Sequence, residues 1–179
     1  MGFAYIARPF AREQRPRVAD QRPPEYRRTT LQSQAYSQLL ESLVQGKPEL
    51  AGRVSLEITE ADVLANPQAA HDFTQAARQL GLGIVIDRFG TGVASFQQLR
   101  DLEPDIAKLG ADLVAALDDT PGQDHIVRAV CENYHALGLK AVAPGIERTE
   151  TLTAVKALPF DAVKGQALAA PESLTHPAA

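Results

Sequence analysis

The stretch "VIDRFGTG", Val85 to Gly92, delivers an acid, Asp87, at the end of an apolar run. A base, Arg88, follows at once, then Phe89 and the turn Gly90-Thr91-Gly92. A strand that carries a carboxylate into a tight glycine turn is how parallel α/β folds build ligand sites at the carboxyl ends of their strands. A cation stands here where a second acid or a hydroxyl is expected. Polar residues recur at the ends of the other apolar runs: Glu57, Thr59 and Glu60 around "LEITE", Lys108 in "DIAKL", Glu147 in "APGIER" and Lys164 in "DAVKGQ". One charge at a strand end is ordinarily a solvated cap. Five successive strands so equipped point to one shared pocket lined by both signs of charge.

The elements that must position these residues alternate regularly from residue 53 onward. Short β-branched or apolar runs occupy 53–58, 83–87, 105–109, 140–144 and 161–165. Helical patterns lie between them, with readable ends. Asn66-Pro67 reads as an N-cap followed by proline at the first helical position, and Phe73, Ala76, Ala77 and Leu80 form the apolar stripe. Thr120-Pro121 repeats the device ahead of Ile126, Val127, Val130, Tyr134 and Leu137, and Gly138 closes that helix. Thr149 opens another, carrying Leu152, Val155 and Leu158. Strand-helix alternation with such short crossovers implies parallel strands in a right-handed wind, as a barrel or an open doubly wound sheet. Five clear units fall short of the eight of a complete barrel, which takes about 200 residues or more.

Residues 1–52 depart from this pattern. "FAYIARPF", 3–10, predicts a strand ending at Pro9; 11–28 is rich in Arg and Pro without an apolar face; 29–46 predicts an amphipathic helix with Leu31, Ala35, Leu39 and Leu43 on one side. Two regions follow: a strand and basic arm over 1–30, and a β/α domain over 31–179. Net charge is −4, but residues 1–30 hold seven Arg against Glu13, Asp20 and Glu25, which leaves −8 on the remainder. Such an arm is most simply a solvated or self-docking segment, and nucleic acid is not the expected partner. An apolar fraction of 45% and a charged fraction of 22% place the chain among ordinary globular proteins. The lone Cys131 excludes a disulfide framework or thiolate metal cluster. No apolar run approaches the ~20 residues of a membrane span and no signal peptide is visible, so a cytoplasmic location is expected.

The motifs "LEITE", "IDRFGTGVASFQQLRDLEPDIAKLGADLV" and "AVAPGIERTETLTAVKALPFDAVKGQALAAP" resemble, in order and spacing, those of the EAL domain, the bacterial cyclic di-GMP phosphodiesterase family. The resemblance runs from about Leu50 to Pro171. It implies a TIM-like α/β barrel, and active members use two Mg²⁺ or Mn²⁺ ions to activate a water on the phosphodiester. By the resemblance, Glu57 corresponds to a metal-ligand glutamate and Glu60 to the glutamate that braces the glycine loop. Asp87 matches the first aspartate of "DDFG", Lys108 the lysine that orients the catalytic water, and Glu147 the second glutamate of "EGVE". The loop Phe89, Gly90, Thr91 and Gly92 is retained.

The departures concentrate on the metal. Arg88 replaces the second aspartate of "DDFG", Gly110 stands at the aspartate of "KID", and Pro144 replaces the first glutamate of "EGVE". Lys164 and Gln166 replace the glutamine and tyrosine of "QGY". The strand bearing Glu-Ala-Leu and the asparagine-bearing strand after it are absent, so an incomplete or modified parallel barrel lacking about two family strands is expected. Arg88 is expected to stand in for the metal's charge by pairing bidentately with Glu57 or Asp87, or with Glu60. No cofactor is expected. The resulting reading is a degenerate, N-terminally shortened EAL-like domain, catalytically inactive, that acts through a protein partner and forms a homodimer. A metal-independent cyclic di-GMP receptor using Arg88 and Lys164, with Glu57, Asp87, Lys108 and Glu147 lining its pocket, is the alternative; residual phosphodiesterase activity is the third.

Overall fold

The computed structural model describes residues 4–5, 34–47, 51–90 and 96–168. Thr91, Gly92, the whole basic arm over 11–28 and the start of the 29–46 helix lie outside the described residues. Six strands form one sheet in sequence order: β1 (Ala4–Tyr5), β2 (Ser55–Thr59), β3 (Gly83–Phe89), β4 (Ile106–Leu109), β5 (Lys140–Ala143) and β6 (Ala162–Val163). From β2 to β6 every pairing is parallel, as the alternation predicts. β1 departs from the all-parallel expectation: it runs antiparallel to β2, with Ala4 opposite Leu56 and Tyr5 opposite Ser55. A short crossover enforces parallel pairing, and the long segment 6–33 ahead of α1 (Gln34–Gly46) releases β1 from that constraint. Among the described residues no strand pairs β6 with β1, and the described strands form an open sheet.

Strand alternation sorts the side chains onto two faces. Leu56, Ile58, Ile84, Ile86, Ala107, Leu109, Ala141 and Ala143 pack in one core with Phe73, Ala77, Val127, Cys131 and Val155 from the helices. Those helices are α3 (Pro67–Gln79), α6 (Gln123–Ala136) and α7 (Thr149–Lys156). The other face carries Glu57, Val85, Asp87, Ile106, Lys108 and Val142, the residues that would line the lumen of a closed barrel. The apolar face therefore builds the fold, and the opposite face holds the chemistry.

The helix ends follow local rules with instructive exceptions. Asn66 caps α3 as expected, its Oδ1 accepting from Ala69 N–H at 3.0 Å, with Pro67 at the first helical position. Thr120-Pro121 does not cap α6. Gly122 does, at φ 80°, a left-handed turn that glycine adopts without strain and that sets the helix start at Gln123. Thr149 is the first residue of α7, with Arg148 at the cap position. Three short helices escape the apolar periodicity: α2 (Glu60–Ala65), α4 (Phe96–Leu102) and α5 (Ala111–Ala115).

One device occurs twice. Asp105 Oδ2 accepts from Ile84 N–H and Asp161 Oδ2 from Ala141 N–H, each at 2.7 Å, so the acid entering one strand fastens the start of its neighbour. Each acid also meets a cation-forming residue from the last turn of the helix that leads into the fastened strand: Arg78 of α3 lies 3.7 Å from Asp105, and His135 Nε2 of α6 lies 2.8 Å from Asp161. "DIAK" and "DAVK" repeat the same spacing, so Lys164 occupies in the second unit the place of Lys108 in the first. Burial raises the Asp161 pKa, but the hydrogen bonds from His135 and the Ala141 N–H outweigh it, and the carboxyl ends below its ordinary value of 3.8. A depressed acid stabilises the fold above its unfolded pKa and loses that contribution as pH falls through the folded one. Asp161→Asn is accordingly expected to be less stable than the parent near neutral pH, with the gap closing below about pH 4. Urea melts at pH 3 and pH 7 that show the same difference would refute this.

Candidate functional site

Glu57 sits in the middle of β2 with its side chain on the open face, opposite Val85 of β3. Beyond Val85 comes β4, whose Lys108 reaches across the intervening strand and donates from Nζ to Glu57 Oε2. The side chains are only 11% and 17% exposed, so the pair is largely withdrawn from solvent. An isolated charge in such a place is costly, and each here supplies the other's compensation. The cation on Glu57 is thus Lys108, which the sequence reading assigned to water orientation.

Asp87 lies opposite Thr59 at the strand ends. Immediately beyond it the β3–β4 ladder shifts register. Ile86 faces Ala107 and Phe89 faces Leu109, so Asp87 and Arg88 together oppose Lys108 alone. This is a bulge, which re-aims side chains at the end of a strand. Arg88 takes φ 58°, a left-handed conformation that costs a non-glycine residue about 1 kcal/mol. Its side chain is 76% exposed and its Nε lies 3.7 Å from Asp87 Oδ2. Arg88 therefore pairs with its neighbour, as expected, but at more than hydrogen-bond length, so the bidentate embrace of a carboxylate is not what joins them. Without the bulge, alternation from Asp87 would turn residue 88 to the helix-covered side, where Ile86 and Phe89 lie.

Thr59, Glu60, Phe89 and Gly90 belong to the frame. Thr59 and Asp62 form a capping box: Thr59 Oγ1 accepts from Asp62 N–H at 3.1 Å, while Asp62 Oδ2 accepts from the Thr59 backbone N–H at 3.3 Å. Glu60, 3% exposed, belongs to the helix-covered side, lining a narrow space with Val63, Ile86, Phe89 and Gln98. It is not on the face of Glu57. Phe89 is buried and packs edge-on against Tyr134 at 5.9 Å, and Gly90 turns the chain at φ 93°. Glu147 and Lys164 are both exposed on neighbouring segments joined through the backbone, Ile146 N–H donating to Lys164 O at 3.0 Å. The described structure thus brings Glu57 to Lys108 and Asp87 to Arg88, and leaves Glu60 apart from them.

A family model for the EAL domain matches residues 26–171. The chain belongs to the EAL family. Over 124 residues, 69% of the chain, it is 29% identical to cyclic di-GMP phosphodiesterase PdeF of Escherichia coli and spans 17% of that protein's length. The EAL domain of FimX from Pseudomonas aeruginosa, solved bound to c-di-GMP, superposes at a TM-score of 0.75 over 82% of this chain with 19% identity. The EAL domain of DcpA from Mycobacterium smegmatis does so at 0.70 over 78% with 28% identity. The chain covers 60% and 62% of those two solved chains, so it corresponds to part of the TIM-barrel-like EAL fold.

Among the described residues of this EAL domain the carboxylates do not fit a pair of divalent ions. Mg²⁺ and Mn²⁺ need several oxygen ligands converging on each ion. Among the described residues no three His, Cys, Asp or Glu side chains gather closely enough to hold one. Glu57 is engaged by Lys108, Asp87 faces Arg88, and Pro144 offers no side-chain oxygen. The residues that sequence reasoning passed over are Tyr134, Asp105 and Asp161. The recurring D-x-x-K spacing could have flagged both aspartates. Tyr134 reads only as one more apolar-face residue.

Proposed function

We propose that this EAL domain is a regulatory or adaptor module in cyclic di-GMP-linked signalling, without phosphodiesterase activity, that works through protein contacts in the cytoplasm. The observation that carries the reading is that both carboxylates left on the open face stand against cations of the protein itself. A lysine ammonium or a guanidinium balances charge but cannot lower the pKa of a bound water as a divalent ion does. With Mg²⁺ or Mn²⁺ supplied, the purified protein is expected to release no linear dinucleotide from cyclic di-GMP. Product accumulating in proportion to protein concentration would overturn this.

A second reading, a metal-independent cyclic di-GMP receptor, is favoured by the exposure of Arg88 and Lys164 at the strand ends, where cations can meet phosphate. The bound nucleotide of the FimX domain supports it. Titration with cyclic di-GMP separates the two: micromolar binding unaffected by chelator selects the receptor, and its absence selects the adaptor. A homodimer belongs to either reading. Among the described residues β6 pairs with β5 alone, and β1 contributes two residues at the other edge. Unprotected edges are what folded proteins cover or pair. Size exclusion with light scattering is expected to report about twice 19.3 kDa; a monomer mass at every concentration would exclude it. No helix among the described residues is long and apolar enough to cross a membrane.

A further inference from the structure

Tyr134 is a large, fully buried side chain of α6, 45 residues away in sequence from the strand end it touches. Its ring meets Phe89 edge-on, and its hydroxyl donates to the Phe89 carbonyl at 3.1 Å. A β-carbon on Gly90 would lie 3.8 Å from that same hydroxyl, with Leu109 and Leu113 on its other sides. The first residue past the bulge is therefore gripped at its ring and at its carbonyl, and the turn after it is walled in. Arg88 is the residue caught between this anchor and the β2–β3 ladder, which runs in register to Asp87. Its left-handed backbone is the conformation that closes the gap. Such strain persists only where the surroundings over-determine it. Burial pushes the Tyr134 phenol far above the usual tyrosine range, with Cys131 and Glu60 adding to the effect, so the hydroxyl stays a neutral donor.

We propose that Tyr134 is a positioning residue for the Asp87–Arg88 corner: its hydrogen bond to Phe89 O holds Arg88 in the left-handed conformation that presents the guanidinium beside Asp87. Without that bond the corner relaxes toward an ordinary right-handed or extended backbone, and Arg88 swings off Asp87. The functional weight of the corner rests on reading it as part of the site, but the geometry can be tested with no ligand present.

Tyr134→Phe keeps the ring and removes only the donor. Hydrogen exchange at the Phe89 and Gly90 amides is expected to rise about tenfold, while Ile86 and Ala107 keep their protection. The Arg88 ¹³Cα and ¹³Cβ shifts, which report φ, are expected to leave the left-handed range. Adding Arg88→Gly should restore slow exchange at Phe89 and Gly90, because glycine holds a positive φ without help. Unchanged exchange and unchanged Arg88 shifts in Tyr134→Phe overturn the proposal. So does a uniform rise across all amides, the mark of a residue that serves packing alone. If Tyr134→Phe does not accumulate folded, the double variant still decides: recovery of folded protein with glycine at 88 supports the clamp, and a double variant as unfolded as the single one overturns it.

Discussion

Lys108→Met is expected to destabilise this domain by about 3 kcal/mol, the lower end of what removal of one partner from a buried ion pair costs. The carboxylate of Glu57 would be left on a face from which solvent is largely withdrawn, with Val85 and Val142 beside Lys108's place and 2% and 8% exposed. Methionine fills most of the lysine stem's volume, so little of the loss comes from packing. The penalty belongs to the stranded charge rather than to the attraction itself. Glu57→Gln combined with Lys108→Met should therefore recover most of the stability, since an amide needs only hydrogen bonds where a carboxylate needs a cation. The midpoint of urea unfolding for the four species closes a double-mutant cycle. A loss below about 1 kcal/mol for Lys108→Met, the range of an exposed pair, would show that the pair is solvated and that Glu57 remains available to other ligands.

This pair also marks what the sequence could and could not disclose. The strand-helix alternation was legible because each buried strand reads as a β-branched run and each long helix as an apolar stripe, and β2 to β6 fall where those runs lie. The start of α3 was legible because Asn66-Pro67 is a local signal, complete within four residues. The direction of β1 was not, since it depends on a pairing made across residues 6–33 and α1. At the site, the strand-end position of the charges followed from the alternation, but which cation meets which acid did not. A bulge of one residue between Ile86 and Phe89 sets an exposed Arg88 beside Asp87, while Glu57 meets Lys108, 51 residues away. Nothing local in "DRFG" announces that bulge. It is a shift of the β3–β4 ladder beside the Tyr134 hydroxyl's bond to Phe89 O, and both are tertiary features. Asp105 and Asp161 differ again: the repeated D-x-x-K spacing marks them, but their role, accepting from a backbone N–H on the neighbouring strand, is not named by that spacing.

Gly165→Ala should have an equal or larger effect, at least about 3 kcal/mol, because the obstacle is backbone and cannot turn aside. A β-carbon at residue 165 would lie 2.0 Å from the carbonyl oxygen of Ile146 and 2.4 Å from its carbonyl carbon and nitrogen. To make room, segments 144–148 and 164–167 must separate. Three backbone hydrogen bonds hold these strand ends together: Lys164 N–H to Ala143 O at 2.8 Å, Ile146 N–H to Lys164 O and Ala167 N–H to Ile146 O, both at 3.0 Å. Ile146, wholly buried, would be drawn from the core along with them. The substitution thus acts on the segments that carry Pro144, Glu147 and Lys164, and it detaches β6, which has only two paired residues to hold it. Gly122 supplies the control. Nothing lies within 4 Å of an added β-carbon there, and its φ of 80° alone makes alanine unfavourable, by about 1 kcal/mol. Urea unfolding of the two variants side by side separates steric exclusion from backbone strain. Equal losses would mean that the 146 and 165 backbones stand further apart than the structure places them, and that the second D-x-x-K unit ends without the brace that fixes Lys164.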